Sequence, residues 1–395
     1  MSRKPTLSSL REPASRQRPP PLSIYVHFPW CVRKCPYCDF NSHGLKNSHF
    51  PEETWLRAVK RDFESSLPAI SDRSVGSVFI GGGTPSLMSA RTLDALLDML
   101  KTRLALAPEV EITLEANPGT VEAERFRDYR TAGVTRLSIG IQSFDDALLG
   151  RIGRIHSGHE ARAAIDIAQR FFERVNLDLM YALPHQTFAQ ALADLETALA
   201  TGAGHLSCYH LTMEPNTVFG RTPPSLPDED SAADMQEALE KRLAEAGFAH
   251  YETSAFARPD QHCCHNLNYW TFGDYLGLGP GAHGKLTTDT RIVREIRYKH
   301  PDAYLKGVKT GGFIQNAHEV DSAALPFEFM MNALRLNDGF SPVLFEQRTG
   351  LPLDTIATEL QRARQHGLLE IGLERIRPTL RGRRFLNDLL QIFLV

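Results

Sequence analysis

The stretch Tyr25-Val26-His27-Phe28-Pro29-Trp30-Cys31-Val32-Arg33-Lys34-Cys35-Pro36-Tyr37-Cys38-Asp39-Phe40 carries three cysteines within eight positions, directly after a β-rich run. Thiolates are soft ligands, and three so close together reach one metal centre only if the chain loops around it, as a loop leaving a strand allows. A structural zinc ion normally takes four ligands, commonly from CxxC pairs. The spacing here is CxxxCxxC. On a cubane iron-sulfur cluster three cysteines leave one iron without a protein ligand, and a small molecule can chelate that iron. A zinc site, or three unrelated thiols, is the alternative reading.

The run before the cysteines, Leu22 to Phe28, is the first of six. Others lie at Ser77 to Ile80, Glu111 to Glu115, Leu137 to Ile141, Val175 to Met180 and His205 to Leu211. Helical periodicity fills the gaps, as in Trp55, Val59 and Phe63, in Leu93, Leu96, Leu97 and Leu100, and in Ala161, Ile165 and Ala168. Six β-α units predict an α/β fold with a parallel sheet and helices outside, open or curled into a partial barrel. Ligands of such folds sit at the carboxyl ends of the strands.

This core is expected over residues 22–250. It ends with an acidic loop, Pro223 to Glu229, and a helix capped by Asp230 or Ser231 that runs through Met235, Leu239 and Leu243 to Gly247. Residues 251–320, with Gly277, Gly279, Gly281 and Gly284, read as sheet extension and connecting layer. Residues 321–395 read as a mainly helical C-terminal domain, with helices over Phe327 to Leu336, Leu353 to His366 and Arg383 to Phe393 and two short strands before the last. Residues 1–21 are basic and Pro-rich and read as a disordered tail.

A length of 395 residues suits two or three domains. Hydrophobic residues at 42% and charged residues at 23% exclude wholesale disorder and a membrane channel. A net charge of -3 gives no global field to hold nucleic acid or an anionic membrane. Six cysteines are too sparse for a disulfide scaffold, which favours reduced thiols and a metal. With no apolar stretch long enough to span a bilayer and no signal-type segment, the cytoplasm is expected; a transit peptide is the rival, opposed by Pro13, Pro19, Pro20 and Pro21.

The strand ends carry further chemistry. Gly81-Gly82-Gly83-Thr84-Pro85-Ser86 follows the second run; such glycines let the backbone approach a ligand, although alone they read as a turn. Glu115 ends the third run and can accept hydrogen bonds from a ribose or amine, or sit in a buried ion pair. Gln142 ends the fourth, and Arg154 and Asp178 lie near the next junctions, where an arginine fork suits a carboxylate. Singly each reads as structural, and together they describe one pocket.

The CxxxCxxC loop after the first strand of such a barrel resembles the radical S-adenosylmethionine superfamily. The resemblance implies a radical SAM partial (β/α)6 barrel, with a 4Fe-4S cluster on Cys31, Cys35 and Cys38 whose fourth iron binds S-adenosylmethionine. In that family one electron from the cluster can cleave the sulfonium to a deoxyadenosyl radical. The likeness narrows to the oxygen-independent coproporphyrinogen III oxidase group through YxHxPxCxxxCxxC, GGGTPS, the GIQSF strand, Asp178-Leu179-Met180-Tyr181-Ala182-Leu183-Pro184 and the helical C-terminal domain, over essentially residues 22 to 390. It implies Tyr25, Tyr37, Gly82, Gly83, Thr84, Glu115, Gln142, Arg154 and Asp178 as S-adenosylmethionine contacts and assigns no catalytic residue.

Two departures matter. The oxidases of the group resemble CxxxCxxCxC, whereas this chain reads Cys38-Asp39-Phe40, and they carry a longer structured N-terminal extension. Both count against coproporphyrinogen decarboxylation and agree with the group's haem-chaperone branch, whose HNxxYW element His265-Asn266-Leu267-Asn268-Tyr269-Trp270 resembles. That branch implies a protein that binds haem and transfers it to acceptor haem proteins, those of the respiratory chain among them, with a homodimer as one arrangement. The oxidase is the alternative function. Neutral imidazole is a good axial ligand, so His265 is the expected haem contact, beside Tyr269 and Trp270 as flat surfaces; the bland reading is a hydrogen-bonded core histidine. His283, in the glycine-rich loop Gly279 to Gly284, is a second ligand candidate.

Adjacent Cys263 and Cys264 have poor geometry for one ion and read, like Cys208, as small buried side chains. The C-terminal region is winged-helix-like, with Arg375, Arg377, Arg381, Arg383 and Arg384 close together, but Glu370, Glu374 and Asp388 dilute the patch. A lid or docking surface is expected there, and no nucleic-acid binding.

Overall fold

Successive side chains of a strand point to opposite faces, and that alternation organises this molecule. A computed structural model describes residues 19–45, 50–120, 123–288 and 291–394. Most of the expected tail, residues 1–18, lies outside them. Six parallel strands stand side by side in chain order: β1 (Leu22–Phe28), β2 (Ser74–Gly82), β3 (Ala105–Ala116), β4 (Arg136–Gln142), β5 (Arg174–Tyr181) and β6 (His205–His210). One face is apolar, with Ile24, Val26, Val78, Ile80, Ile112, Leu114, Leu137, Ile139, Leu177 and Leu206 all in the main core. The alternate positions are polar or small. Ser23, Tyr25, Ser77, Glu111, Thr113, Glu115, Arg136, Ser138, Asn176, Asp178, His205 and Ser207 make up the interior of a partial (β/α)6 barrel.

Helices cover the apolar face. α1 (Glu52–Ser66) buries Trp55, Ala58, Val59 and Phe63; α2 (Ala90–Arg103) buries Leu93, Leu96, Leu97 and Leu100. α3 (Ala123–Ala132) buries Phe126 and Tyr129, α4 (Gly158–Phe171) Ala161, Ala164, Ile165 and Ala168, and α5 (Phe188–Ala200) Ala191, Leu195 and Ala198. Reciprocal capping boxes, Ser157 with Glu160 and Thr187 with Gln190, start α4 and α5 and contribute about 1 kcal/mol each. In α6 (Glu229–Glu245) the cap is Asp228, whose carboxylate accepts from the Ser231 N–H, so this helix begins earlier than the expected Asp230 or Ser231.

The connecting layer widens the sheet at both edges. β7 (Ala249–Glu252) and β8 (Ala255–Ala257) continue antiparallel from β6. β9 (Asp274–Leu278) is a seventh parallel strand, paired with β1 on its free side, a strand that sequence reading left as sheet extension and loops. β10 (His283–Thr287), β11 (Ile292–Arg297) and β12 (Ile314–Glu319) follow antiparallel. Between β8 and β9, α7 (Cys264–Trp270) packs against β2, β1 and β9 beneath the barrel.

A second hydrophobic cluster, with Phe329, Met330, Phe340, Phe345, Leu360 and Leu389, organises the C-terminal region and takes in Phe272 and Ile292 from the sheet segment. Its strands Leu369–Ile371 and Ile376–Pro378 form a hairpin. The expected helix over Leu353 to His366 is a 3-10 turn, Leu353–Ile356, running into a helix, Ala357–Gln365. The last one is split at Phe385, whose ψ of 45° leaves the helical range, into Leu380–Arg384 and Leu386–Gln391. Among the described residues no helix is long and apolar enough to cross a membrane.

The added strand is locked in by a buried charge. Asp274 accepts from Lys285 Nζ at 2.8 Å, from Arg73 Nη1 at 2.8 Å and from the Thr287 N–H and hydroxyl at 2.8 and 2.7 Å. Burial lowers Lys285 to about 8. Asp274→Ala would leave that ammonium buried without its counter-charge and is expected to cost about 3–5 kcal/mol. Adding Lys285→Met should recover part of the loss; thermal unfolding of both variants checks this, and equal losses would contradict it.

Candidate cluster and ligand site

The chain leaves β1 through Pro29 and folds back on itself. Trp30–Cys31 pairs in parallel with His43–Gly44, the Leu45 N–H bonds the Cys31 carbonyl at 2.9 Å, and the Cys38 N–H bonds the Cys35 carbonyl at 3.2 Å. Cys31, Cys35 and Cys38 are thereby gathered as free, half-buried thiols lining one cavity of about 490 Å³. Thr84 donates its N–H to the Trp30 carbonyl at 2.8 Å and Gly83 to that of Phe28 at 2.6 Å, so the glycine turn after β2 lies directly against the cysteine loop. A Cβ on Gly83 would stand 2.5 Å from the Trp30 oxygen, and one on Gly82, whose φ is +116°, 2.5 Å from the His27 ring. No side chain fits at either position.

The loop hangs on His27. Burial pushes this imidazole down to about 4, so it is neutral at pH 7. Nε2 lies 3.0 Å from the Asn41 carbonyl and must donate there; Nδ1 then accepts from the Tyr25 hydroxyl at 2.8 Å. Asn41 in turn donates to the Pro280 and Lys299 carbonyls at 2.9 and 2.8 Å, which binds the cysteine loop to the β9–β10 connection and to the segment after β11. Sequence reading assigned neither His27 nor Asn41 a role.

Arg154 connects the cysteines to the strand ends. Nη1 lies 3.9 Å from Cys35 Sγ, while Nη2 donates to Asn117 Oδ1 at 2.7 Å and to the Gly140 carbonyl at 2.6 Å; Asn117 passes a bond of 2.8 Å to Thr84 Oγ1. Asn117, in the expected Glu115-Ala116-Asn117 segment, is a third residue to which sequence reading gave no role. Gln142 sits on the cavity wall with a φ of 68° at a register shift between β4 and β5, a bulge that re-aims its side chain. Tyr37 lines the same cavity and packs on Leu148, Ile152 and Met180.

Two carboxyls face the interior. Glu115 accepts the Gly82 N–H at 3.0 Å and is pushed up to about 7 by burial and by Asp178. Asp178 is also raised, by burial, against bonds from Asn176 Nδ2 at 2.8 Å and the Ser138 hydroxyl at 3.2 Å. Of the residues expected to contact a ligand, Tyr37, Gly82, Gly83, Thr84, Glu115, Gln142, Arg154 and Asp178 line the cavity together with the three cysteines.

Tyr25 and His265 do not. Tyr25 is half-buried beside His27 and Phe79, with its hydroxyl on His27 Nδ1. His265 is 2% exposed; Nδ1 lies 3.1 Å from Ser77 Oγ and its ring packs against Phe79, Tyr25 and Tyr269. A ring so enclosed offers no open face to a porphyrin, and the neighbouring Asn266 lines the cavity in its place. His283 is exposed at the start of β10. Cys263 and Cys208 are buried and Cys264 is exposed.

The thiols fit the group that the sequence implies. Among the described residues no three His, Cys, Asp or Glu side chains converge on a point that could hold one ion. Three thiolates can supply one ligand to each of three irons and leave a fourth open, whereas a structural zinc ion takes four ligands.

This barrel and thiol loop define a radical SAM protein. The sequence profile of the Radical SAM superfamily matches residues 25–198, and that of the HemN C-terminal domain matches residues 320–385. The chain belongs to the heme chaperone HemW family: it is 48% identical to heme chaperone HemW of Escherichia coli over 95% of this chain and 98% of that protein, and 34% identical to heme chaperone HemW of Bacillus subtilis over 94% and 99%. Among solved structures, coproporphyrinogen III oxidase (HemN) from Escherichia coli, a radical SAM enzyme, has the same fold, with a TM-score of 0.81 at 22% identity over 96% of this chain and 91% of that one.

The raised Glu115 makes stability depend on pH. The folded state holds this proton more tightly than the unfolded chain, so its contribution is complete below about 4.5 and is lost as pH rises to about 7. Glu115→Gln keeps an acceptor for Gly82 without the charge. It should be more stable than the parent at pH 8 by on the order of 2 kcal/mol and nearly equal at pH 5. Denaturant unfolding at the two pH values measures the difference, and a variant destabilised equally at both would contradict the assignment.

Proposed function

We propose that this chain is a haem chaperone: it binds haem, transfers it to acceptor haem proteins, and carries a 4Fe-4S cluster with S-adenosylmethionine. The observation that carries the reading is the set of three free thiols on one cavity, in a chain 48% identical to a heme chaperone along nearly its whole length. Cys31, Cys35 and Cys38 would hold the cluster, and its open iron would supply the chelation site for the adenosylmethionine amino and carboxylate groups. The chain's own contribution is positional. The glycine turn offers its backbone, Arg154 orients the loop and neutralises charge beside Cys35, and Gln142, Glu115 and Asp178 offer acceptors for amine and ribose hydrogens.

The chain departs from the oxidase pattern at Cys38-Asp39-Phe40, which has no further cysteine, and coproporphyrinogen III decarboxylation is not part of this reading. The proposal extends to acceptors among respiratory haem proteins, to a cytoplasmic setting and to pairing with a second copy as one arrangement of the chain.

Haem titrated anaerobically into the cluster-loaded protein should give a saturating, stoichiometric Soret change. Cys35→Ala should lose the visible absorption and iron of the reconstituted cluster. Absence of any saturable haem signal in the parent, or turnover of coproporphyrinogen III, would overturn the chaperone reading; unchanged iron in Cys35→Ala would overturn the cluster assignment.

A further inference from the structure

The cavity does not end at the ribose-facing carboxyls. It continues inward to Arg136, the first residue of β4, which lines it while only 2% exposed. A guanidinium cannot shed its proton, so a buried one needs an anion or a full set of acceptors. Glu111, Tyr251 and Asp178 support its charge from nearby, but among the described residues none of them bonds it. Glu111, on the adjacent strand, is committed to Arg174 at 2.9 Å, and Asp178 to Asn176 and Ser138. Cys263, also close, is pushed up to about 12 by burial and is a neutral thiol. Among the described residues Arg136 has neither an ion pair nor a hydrogen bond through its side chain.

Two further buried groups neighbour Arg136. Among the described residues, the buried hydroxyl of Thr113, the register partner of Arg136 on β3, has no partner, nor has Nε2 of His265, the imidazole on which Arg136 acts as the neighbouring charge. Of these three groups Arg136 alone lines the cavity whose other end holds the cysteines. A planar fork of donors matches a carboxylate in two parallel bonds.

We propose that the inner end of the barrel is a carboxylate-binding subsite organised by Arg136, separate from the adenosylmethionine contacts at the strand ends. Its ligand is a small free carboxylic acid or the propionate arm of a tetrapyrrole, since both present the same group. The subsite exists whether or not the chain carries haem.

The test uses the full chain and sodium propionate as the probe. Propionate should raise the unfolding midpoint in a saturable way that sodium chloride of equal ionic strength does not reproduce. Arg136→Met should abolish the response, and Arg136→Lys, which keeps the charge and loses the fork, should weaken the apparent affinity at least tenfold. No propionate-specific rise in the parent, which needs no variant to fold, overturns the proposal, as does an unchanged affinity in either variant. The source is then separated with haem and its dimethyl ester. Competition by propionate and at least tenfold weaker binding of the ester assign the carboxylate to the tetrapyrrole. Equal binding of both without competition assigns it to a free acid. A protein that binds no haem but keeps the propionate response refutes the chaperone reading and leaves the subsite intact.

Discussion

One neutral imidazole determines where the cysteines stand. His27 can donate to the Asn41 carbonyl and accept from Tyr25 at the same time only while uncharged, and burial keeps it so. From Asn41 two amide hydrogens reach the Pro280 and Lys299 carbonyls, and from the opposite side the glycine turn bonds Phe28 and Trp30. A loop of irregular backbone is thus fixed to three separate parts of the sheet, and each buried group left unpaired would cost about 1–3 kcal/mol. The thiols are positioned by this framework rather than by one another.

The barrel interior extends the same logic inward. Outward-facing strand positions are apolar and packed under helices, while inward-facing ones are polar and bonded in chains, such as Asp178 to Asn176 to His205 to Tyr251. His205 is held well below its ordinary value by burial, so it donates from Nδ1 to Asn176 and accepts the Tyr251 hydroxyl. Such an interior can receive a polar ligand without rearranging, because its dipoles are already fixed. Charge runs along it from cysteines beside Arg154, through Glu115 and Asp178, to Arg136.

Much of this was legible in the sequence. All six parallel strands fall on the β-rich runs that mark them, because the face of each strand packed under helices supplies apolar residues at alternate positions, and the cysteines, glycines and strand-end polar residues do share one cavity. The seventh strand was not legible: Asp274-Tyr275-Leu276-Gly277-Leu278 is five residues buried throughout, with no alternation to read. Nor were the roles of Asn41 and Asn117, whose partners lie elsewhere in the chain, 239 positions away for Asn41 and Pro280. His265 shows the converse. Its chemistry suits a metal ligand, and only the fold shows that Ser77, Phe79 and Tyr269 enclose it.

The central claim is that the cysteine loop places a cluster with an open iron at one wall of the cavity that takes the small molecule. Electron paramagnetic resonance of the anaerobically reconstituted, reduced protein, recorded with and without S-adenosylmethionine, tests it most directly. A cubane signal whose g-values shift on addition, in proportion to bound ligand, is the predicted result. A signal that does not change while the ligand demonstrably binds would contradict the account.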